Sequence, residues 1–322
     1  NLKGYYLPLG ATNIMTTGHE YDDAFVVWDW TRVPGTTAVA NQSTADLRWY
    51  LFGSNQFGGG VSNAHNGVMA YEHAYQGVEA RKAYFFMGDA MVCMGSGIKA
   101  ARTQEVRTSV NQCLANGEVT YGLSGHTYRL TNNLSDKNID WAYHDNVGYI
   151  FPQNESVTLR KAKQTGAWRE LEVTASDKPV TKEIFSLWVS HGTTPQHEDY
   201  CYIIMPDKPL SYFTDKKFEN EIKIIVNSEQ IQAISNENKR QYAAVFYEPG
   251  EIRFAEDLVV AVNKKVIIYI EKKDKQYEIA VADPLYKEQS LQLSMNGEQI
   301  NIVFPSGDYS GSSVIKHITE KH

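Results

Sequence analysis

The chain is poor in cysteine and in long apolar runs. Its three cysteines, Cys93, Cys113 and Cys201, include no Cys-x-x-Cys pair, which disfavours a zinc site and a disulfide framework. They can be three buried small side chains, or one disulfide and one free thiol. No apolar run reaches the roughly 18 residues that a membrane-spanning helix needs, so no membrane partner is predicted.

Clustered positive charge is missing as well. The 31 Lys and Arg residues are outnumbered by 38 Asp and Glu residues, which gives a formal net charge of −7. Because no basic block occurs, nucleic acid is not predicted as a partner. The net negative charge repels an acidic polymer. A groove that binds one must therefore contain a local cluster of basic side chains that outweighs this repulsion.

Several catalytic motifs are absent. The run Phe57-Gly58-Gly59-Gly60 is not followed by Lys-Ser or Lys-Thr, so it is not a phosphate loop, and Ser124 lies in no G-x-S-x-G motif. His191, His197, Glu198 and Asp199 lie close in sequence, but their spacing matches no known ligand pattern. No metal and no cofactor are predicted.

Alternation of apolar and polar residues is abundant, and helical periodicity is nearly absent. Hydrophobic residues make up 42% of the 322, and 20 Tyr and 6 Trp add to a composition that favours strands. Strands are predicted in the first 210 residues at Ala83–Met87, Met91–Met94, Glu105–Asn111, Thr127–Leu130, Val147–Phe151, Ile184–Ser190 and Tyr200–Met205. The fold class is therefore all-β.

Two domains are predicted, because a segment rich in proline and lysine interrupts the pattern of strands. Pro206–Lys217 carries two prolines and a lysine cluster, and shorter strands follow it at regular intervals up to Phe304. We expect a large antiparallel β-sandwich over residues 1–212 and a smaller C-terminal β-sandwich over residues 213–322. The final segment, Ser310–His322, is expected to be an edge strand and a tail, and the one helical candidate is Thr44–Phe52.

Short turns are predicted from dipeptides rich in Asn, Asp and Gly. Asn66-Gly67, Gly88-Asp89 and Asn116-Gly117 each have the composition of a β-hairpin turn. Pro34-Gly35 is a further turn signal, because Pro fixes φ and Gly permits positive φ.

That last turn closes the most informative segment of the chain, which runs from Trp28 to Thr37 as WDWTRVPGTT. On composition alone the segment can be a buried aromatic corner of a β-protein. It also resembles the W-x-W-x-x-x-P-G-T-T signature of polysaccharide lyase family 8, which cleaves chondroitin, hyaluronan and xanthan.

Three further stretches are similar to motifs of that family and occur in the same order. The first is Ala80–Asp89 with Cys93–Ile98, which resembles a pair of family strands. The other two are the histidine-containing stretch Ser190–Pro195 with Tyr200–Pro206, and Ala282–Pro284 with Leu291–Leu293. The resemblance extends from Trp28 to about Leu293, so it covers most of the chain.

The resemblance implies a partner domain and a substrate. The family carries an α/α toroid before the W-x-W motif, and that toroid supplies the catalytic His and Tyr. This chain begins at Asn1, without Met or a signal peptide, so we expect it to be a piece of a longer protein. The implied partners are that upstream toroid and an acidic polysaccharide substrate, and the implied location is secreted or periplasmic.

A glutamate of the β-domain is implied to orient groups of the toroid during β-elimination. Its approximate spacing from the P-G-T-T turn places it at Glu72, although a solvent-facing strand glutamate is the simpler interpretation. The candidates for substrate binding are Arg32, Trp28, Trp30, Asn63 and His73. Each has a simple structural alternative. Arg32 can pair with Asp29, the two tryptophans can pack in the core, Asn63 can close a turn, and His73 can be an exposed polar residue.

Two further hypotheses remain open at this point. The chain can be a non-catalytic carbohydrate-binding or scaffold β-protein, or an enzyme of the galactose-mutarotase type built on a similar sandwich. Arg81 and Lys82 are adjacent on one predicted strand, so their side chains point to opposite faces and only one of them can line a groove.

Overall fold

A computed structural model describes residues 2–42, 55–101 and 103–320 of the chain. The helical candidate Thr44–Phe52 lies outside these residues. The described residues divide into two compact units. Of these residues, 2–42, 74–79, 98–101 and 103–215 belong to the first unit, and 55–73, 80–97 and 216–320 belong to the second. The domain boundary near residue 212 stays a prediction.

Strands dominate the described part of the chain, as the alternation predicted. The first fourteen are β1 Thr37–Val39, β2 Gly58–Ser62, β3 Gly67–Tyr75, β4 Val78–Met87, β5 Ala90–Ala100, β6 Glu105–Leu114, β7 Thr120–Leu123, β8 His126–Arg129, β9 Leu134–Asp136, β10 Ile139–His144, β11 Val147–Ile150, β12 Ser156–Gly166, β13 Val180–Thr193 and β14 Glu198–Pro206. The remaining ten are β15 Lys223–Asn227, β16 Ile231–Asn236, β17 Gln241–Phe246, β18 Gly250–Ala255, β19 Leu258–Val262, β20 Val266–Lys273, β21 Gln276–Ala282, β22 Ser290–Met295, β23 Glu298–Val303 and β24 Val314–Thr319.

Helical structure in the described residues is confined to short segments. The α-helix is α1, Leu210–Thr214, and the 3-10 helices are Gly4–Tyr6, Phe25–Val27, Trp168–Glu170 and Gly307–Tyr309. None of these helices has the length and apolar character needed to cross a membrane. The all-β fold class predicted from the sequence is confirmed.

The first unit contains a five-stranded antiparallel sheet in the order β1-β6-β13-β12-β9. Its longest ladder joins β12 to β13 over eleven positions, from Ser156 opposite Ser190 to Gly166 opposite Val180. Because side chains alternate along each strand, Leu159 and Leu187 share a buried face and are both inaccessible to solvent. That face is one wall of the unit's core.

A second group of strands in the same unit, β14-β11-β10-β7-β8, forms the opposite wall. The ring of Phe185 on β13 lies 4.5 Å from the His144 ring on β10 and 6.2 Å from the Tyr149 ring on β11, measured between centroids. Asn111 on β6 also donates a hydrogen bond of 2.6 Å to the Tyr149 hydroxyl. The two walls therefore pack face to face as a β-sandwich.

The second unit contains a smaller sandwich. One sheet has the order β15-β16-β17-β20-β21-β24 and the other has the order β18-β19-β22-β23. Between them, Phe246, Phe254, Ile268, Ile279 and Leu293 belong to one buried apolar cluster. β24 pairs with β21 at the end of the six-stranded sheet, so the edge strand predicted within Ser310–His322 is confirmed.

The predicted hairpin turns have different outcomes. Asn66-Gly67 lies where β2 turns into β3, and Gly88-Asp89 joins β4 to its sheet neighbour β5. The hairpin at Asn116-Gly117 is wrong, because β6 belongs to the five-stranded sheet while β7 pairs with β8 and β10. That dipeptide instead carries the chain from one wall of the sandwich to the other.

Close packing of α1 against β11 leads to a stability prediction. A Cβ atom at Gly148 on β11 would overlap the ring of Phe213, which is fully buried on α1. Gly148→Ala should therefore lower the free energy of unfolding by about 1–3 kcal/mol, measured by urea denaturation. Gly58→Ala is the control, since its Cβ would lie 3.8 Å from Tyr71 Cβ, an ordinary contact. Equal stability of the two variants would contradict this packing.

Candidate functional site

The segment that begins at Trp28 is held to β6 by the side chain of Gln112. The Gln112 amide accepts a hydrogen bond of 2.9 Å from the backbone N–H of Asp29. Its amino group donates to the carbonyl oxygens of Asp29, at 3.1 Å, and Arg32, at 2.9 Å. Gln112 is inaccessible to solvent, so a single buried amide satisfies three backbone groups of the turn.

Trp28 and Trp30 are buried beside this turn, with 6% and 5% of their surface exposed. Their ring centroids lie 5.5 Å apart, and the Phe25 ring lies 4.7 Å from that of Trp28. The indole N–H of Trp30 donates to the carbonyl oxygen of Phe25 at 3.1 Å. These contacts are those of a packed aromatic corner, and a role for either Trp in substrate binding stays a prediction.

The Pro34-Gly35 turn has the backbone that the sequence predicted. Gly35 adopts a φ of 84°, and a Cβ there would overlap the carbonyl oxygen of Gly10. Its N–H donates to the carbonyl oxygen of Ser109 on β6 at 2.7 Å. The turn is thus an ordered element with a defined partner.

Arg32 projects from this segment and pairs with Asp29, one of the two roles considered from the sequence. The Arg32 Nε donates to Asp29 Oδ2 at 2.7 Å, and the guanidinium carbon lies 4.7 Å from the centre of the Trp188 ring. Burial disfavours the charged form of Asp29, but Arg32 and hydrogen bonds from Thr31 outweigh it and lower the pKa of Asp29.

Arg32 also lines a cavity of about 400 Å³ together with Arg107 and Arg160. No sequence pattern predicted a site role for either of these two arginines. They lie 53 residues apart on β6 and β12, and only the register of the sheet brings them to one place.

Glu72 lies on β3 in the second unit and faces Arg81 on β4. Glu72 Oε1 is 3.7 Å from Arg81 Nε, and both side chains are 23% exposed. The Arg81 guanidinium carbon lies 5.2 Å from the centre of the buried Tyr247 ring, which supports it from behind. The pair is therefore held in position yet reachable by solvent.

Lys82 points the other way, as predicted, and is fully buried. Desolvation lowers the pKa of Lys82 to about 7, although Cys93 acts in the opposite direction. Its ammonium nitrogen lies 5.9 Å from the Tyr71 ring centre and 5.8 Å from the Tyr84 ring centre. Full burial of a lysine that loses its proton near neutral pH is unusual. The alternation of residues along the strand did not predict it.

His73 follows Glu72 on β3 and faces this interior, with 2% of its surface exposed. Within the part of the chain that the structure describes, neither ring nitrogen has a hydrogen-bond partner. Burial and the nearby Lys82 lower the pKa of His73 to about 3, so its imidazole is neutral at physiological pH. The predicted role of His73 in substrate binding remains a prediction.

Asn63 closes the turn between β2 and β3. Its amino group donates to Glu278 Oε1 at 2.8 Å and to Glu271 Oε2 at 3.2 Å. Its carbonyl oxygen accepts from the N–H groups of Asn66, at 2.9 Å, and His65, at 3.2 Å. These are the bonds of the turn-closing alternative, and sugar binding by Asn63 stays a prediction.

Glu20 was not predicted as a site residue. Its carboxylate accepts five hydrogen bonds, more than that of any other described glutamate of the first unit. Oε1 accepts hydrogen bonds from the N–H and hydroxyl groups of both Thr16 and Thr17, at 2.6–3.0 Å. Oε2 accepts from the Gly18 N–H at 3.0 Å. Desolvation would raise the pKa of Glu20, but these donors lower it to about 2. The sequence feature that could have predicted this arrangement is the run Thr16-Thr17-Gly18, which comes shortly before Glu20 and supplies its donors.

The sequence predicted no metal site and left two alternatives for the three cysteines. Across residues 2–42, 55–101 and 103–320, no group of three or more His, Cys, Asp or Glu side chains is placed to hold a metal ion. The three cysteines are each free and buried, which is the first of the two alternatives considered from the sequence.

Comparison with protein-family models identifies both parts of the chain. Residues 1–217 match the super-sandwich domain of polysaccharide lyase family 8, and residues 223–292 match the C-terminal β-sandwich domain of the same family.

Individual relatives agree with this match. Chondroitinase-AC of Pedobacter heparinus is 32% identical over 98% of this chain and 46% of its own length. Hyaluronate lyase of Staphylococcus aureus is 26% identical over 88% of this chain and 36% of its own length. A chondroitinase AC lyase structure superposes with a TM-score of 0.92 at 30% identity, over 98% of this chain and 48% of that chain. The chain therefore spans less than half the length of these relatives.

The Gln112 contacts lead to a test of the turn. Gln112→Leu keeps the side-chain size but leaves the Asp29 N–H and the Arg32 carbonyl without partners, while the Asp29 carbonyl keeps its bond from the Arg32 N–H. We expect a loss of about 2–4 kcal/mol in the free energy of unfolding and faster hydrogen exchange at residues 29–32, measured by urea denaturation and mass spectrometry. Gln196→Leu, at an exposed position with one side-chain bond, is the control. Unchanged exchange in Gln112→Leu would contradict the anchoring role.

Lys82 predicts a pH dependence of stability. Because the pKa falls from 10.5 in the unfolded chain to about 7 in the fold, the unfolded chain holds a proton between these values that the folded chain has released. Lys82 therefore makes the free energy of unfolding rise with pH between about 7 and 10, by up to about 1.4 kcal/mol per pH unit. Lys82→Met should remove this slope and stabilise the protein at pH 6.

The measurement is urea denaturation of both proteins at several pH values between 6 and 10. Lys99→Met is the control, since the Lys99 side chain is 51% exposed. An identical slope in the parent chain and in Lys82→Met would contradict the assignment to Lys82.

Proposed function

Because this chain belongs to polysaccharide lyase family 8, as its motifs predicted, we propose that it is the β-domain portion of an enzyme that cleaves uronic-acid-containing glycosaminoglycans by β-elimination. The observation that carries the proposal is the alignment with chondroitinase-AC over 98% of this chain but 46% of the relative. We infer that the remainder of the relative holds the helical domain that the family resemblance implies, with its catalytic His and Tyr.

The reaction defines what the β-domain must contribute. A base removes the proton from C5 of the uronate, the electron pair forms the C4–C5 double bond, and the C4–O bond breaks with proton transfer to the departing oxygen. Neutralising the C5 carboxylate stabilises the developing negative charge, so cations held near that carboxylate lower the barrier. In this proposal the β-domain fixes such cations, and the helical domain supplies the base and the acid.

We assign to Glu72 the positioning of one such cation, Arg81 of this chain, in place of the toroid group that the family resemblance implied. The support is its 3.7 Å approach to Arg81 Nε and the partial exposure of both side chains. Tyr247 restrains the guanidinium from the other side, and its own hydroxyl is fixed by a hydrogen bond of 2.8 Å to Gln232. A guanidinium restrained on two sides is preorganised to bind a carboxylate.

Glu20 is a competing candidate for the same role. Its carboxylate is held by five donors of its own loop and stays ionised over the whole physiological pH range. Because Oε2 accepts only one of these bonds, it retains capacity to bind a cation from outside the loop. Substituting each glutamate in turn separates the two assignments.

The proposed substrate is an acidic polysaccharide of the chondroitin or hyaluronan type, and the proposed location is secreted or periplasmic. The substrate follows from the activities that name the relatives given above, and the location is the one that the family resemblance implies. The alternative of a non-catalytic carbohydrate-binding protein predicts binding without product and is an outcome of the same experiment.

The experiment joins this chain to the part of Pedobacter heparinus chondroitinase-AC that lies outside the aligned region. Product is measured by the ultraviolet absorbance of the unsaturated uronate, with chondroitin sulfate and hyaluronan as substrates. We expect activity from the joined protein and none from this chain alone. Glu72→Gln should reduce kcat by about 100-fold with little change in KM, because a displaced cation costs mainly in the transition state.

Glu79→Gln is the matched control, since Glu79 is an exposed acid on the neighbouring strand and its side chain is 57% accessible. A loss of kcat in Glu20→Gln but not in Glu72→Gln would transfer the positioning role to Glu20. Turnover by this chain alone would contradict the proposal that the helical domain supplies the base and the acid. Polysaccharide binding without turnover in the joined protein would favour the binding-protein alternative.

A further inference from the structure

The outward face of the five-stranded sheet in the first unit carries a row of polar side chains. The sheet register places Trp188 on β13 opposite Thr158 on β12, and Thr158 opposite Ser135 on β9. Arg160 lies two residues beyond Thr158, and Arg107 on β6 is opposite Ser190, two residues beyond Trp188. Because alternate residues share a face, these side chains all point away from the apolar core.

The cavity of about 400 Å³ opens on this face, and the Arg32 segment forms one of its sides. Its lining is polar and contains three arginines but only one acid. The lining residues are Asp29, Arg32, Asn41, Arg107, Asn133, Ser135, Thr158, Arg160 and Trp188.

The charges of the cavity do not balance. Asp29 pairs with Arg32, and Glu105, outside the cavity, accepts a hydrogen bond of 2.8 Å from Arg107 Nε. Arg160 has no ion pair with any residue that the structure describes. One full positive charge therefore remains in a concave site of a protein whose net charge is −7.

Arg160 also has an unmet hydrogen-bonding requirement. Its Nε is shielded from solvent and, within the described part of the chain, has no acceptor. A buried charged donor without an acceptor is costly, and an oxygen of a bound anion would relieve this cost. Burial lowers the pKa of Arg32, Asp29 raises it, and repulsion from the charges of Arg160 and Arg107 lowers it further.

Trp188 orients two of these guanidinium groups. The guanidinium carbons of Arg32 and Arg107 lie 4.7 Å and 5.2 Å from the centre of its ring. Only 8% of Trp188 is exposed, so little of its ring surface is open to solvent. The indole is a support that fixes the direction of the donors, and it offers no surface on which a sugar could stack.

We propose that this cavity binds an oxyanion carried by an acidic saccharide, either a sulfate ester or a uronate carboxylate. Arg160 supplies the uncompensated charge, and Arg32 and Arg107 supply oriented donors beside it. Asn133, Ser135 and Thr158 line the same cavity and can contact the sugar that carries the anion, although the Ser135 and Thr158 hydroxyls already bond each other at 2.8 Å. The anion site stands on the cavity alone, and the choice of a saccharide as the carrier rests on the proposed function.

The test is isothermal titration calorimetry of this chain with sulfated chondroitin hexasaccharide. Arg160→Gln should weaken binding at least about tenfold, since a charge-assisted hydrogen bond is lost. Lys163→Gln is the control, because Lys163 is an exposed cation on the same strand and its removal changes the net charge equally. Arg160→Lys, which keeps the charge but loses the guanidinium fork, should give an intermediate affinity.

The two sources of the oxyanion are distinguished with unsulfated chondroitin hexasaccharide. Retained affinity that still depends on Arg160 assigns the uronate carboxylate, and a loss of affinity assigns the sulfate ester. Inorganic sulfate should compete with the hexasaccharide in the parent chain and fail to compete in Arg160→Gln.

Equal affinity of the parent chain and Arg160→Gln would overturn the proposal, as would equal weakening by Arg160→Gln and Lys163→Gln. Binding of inorganic sulfate without any binding of hexasaccharide would overturn the assignment to a saccharide. These results are independent of turnover. An inactive joined enzyme whose β-portion binds through Arg160 would refute the lyase proposal alone, and an active one with Arg160-independent binding would refute this one alone.

Discussion

The buried amide of Gln112 is the interaction on which the first unit's site depends. By bonding three backbone groups of the segment after Trp28, it fixes that segment to β6. The position of Arg32 follows, because Arg32 is carried by the same turn, and the segment also contains the packed pair Trp28 and Trp30. A side chain without charge thus determines where a charged group can act.

Local features of this chain could be predicted from its sequence, because they depend on neighbouring residues. Alternation identified β4, β13 and β14, the Pro34-Gly35 pair identified a turn with positive φ, and adjacency on a strand separated Arg81 from Lys82. The family motifs identified the fold through the same short segments. None of these inferences required knowledge of which strands are paired.

The parts that could not be predicted depend on long-range pairing. Arg107 and Arg160 reach one cavity because β6 and β12 flank β13 in a defined register. β12 was not among the predicted strands, since its second half is polar and faces outward. The Asn116-Gly117 turn failed for the same reason: its composition is that of a hairpin, but the adjoining strands belong to different sheets. Full burial of Lys82 likewise depends on what covers the strand.

The covered ring of Trp188 has a consequence for how a polymer could be held. A site that stacks on a sugar ring fixes which unit of a chain occupies it, whereas guanidinium groups arranged around a buried indole respond to charge. In a polysaccharide whose acidic group recurs with every repeat, each repeat presents the same charge. Such a site would bind each repeat equally well. The polymer could therefore shift by one repeat and remain bound, without a preferred repeat at which binding must begin.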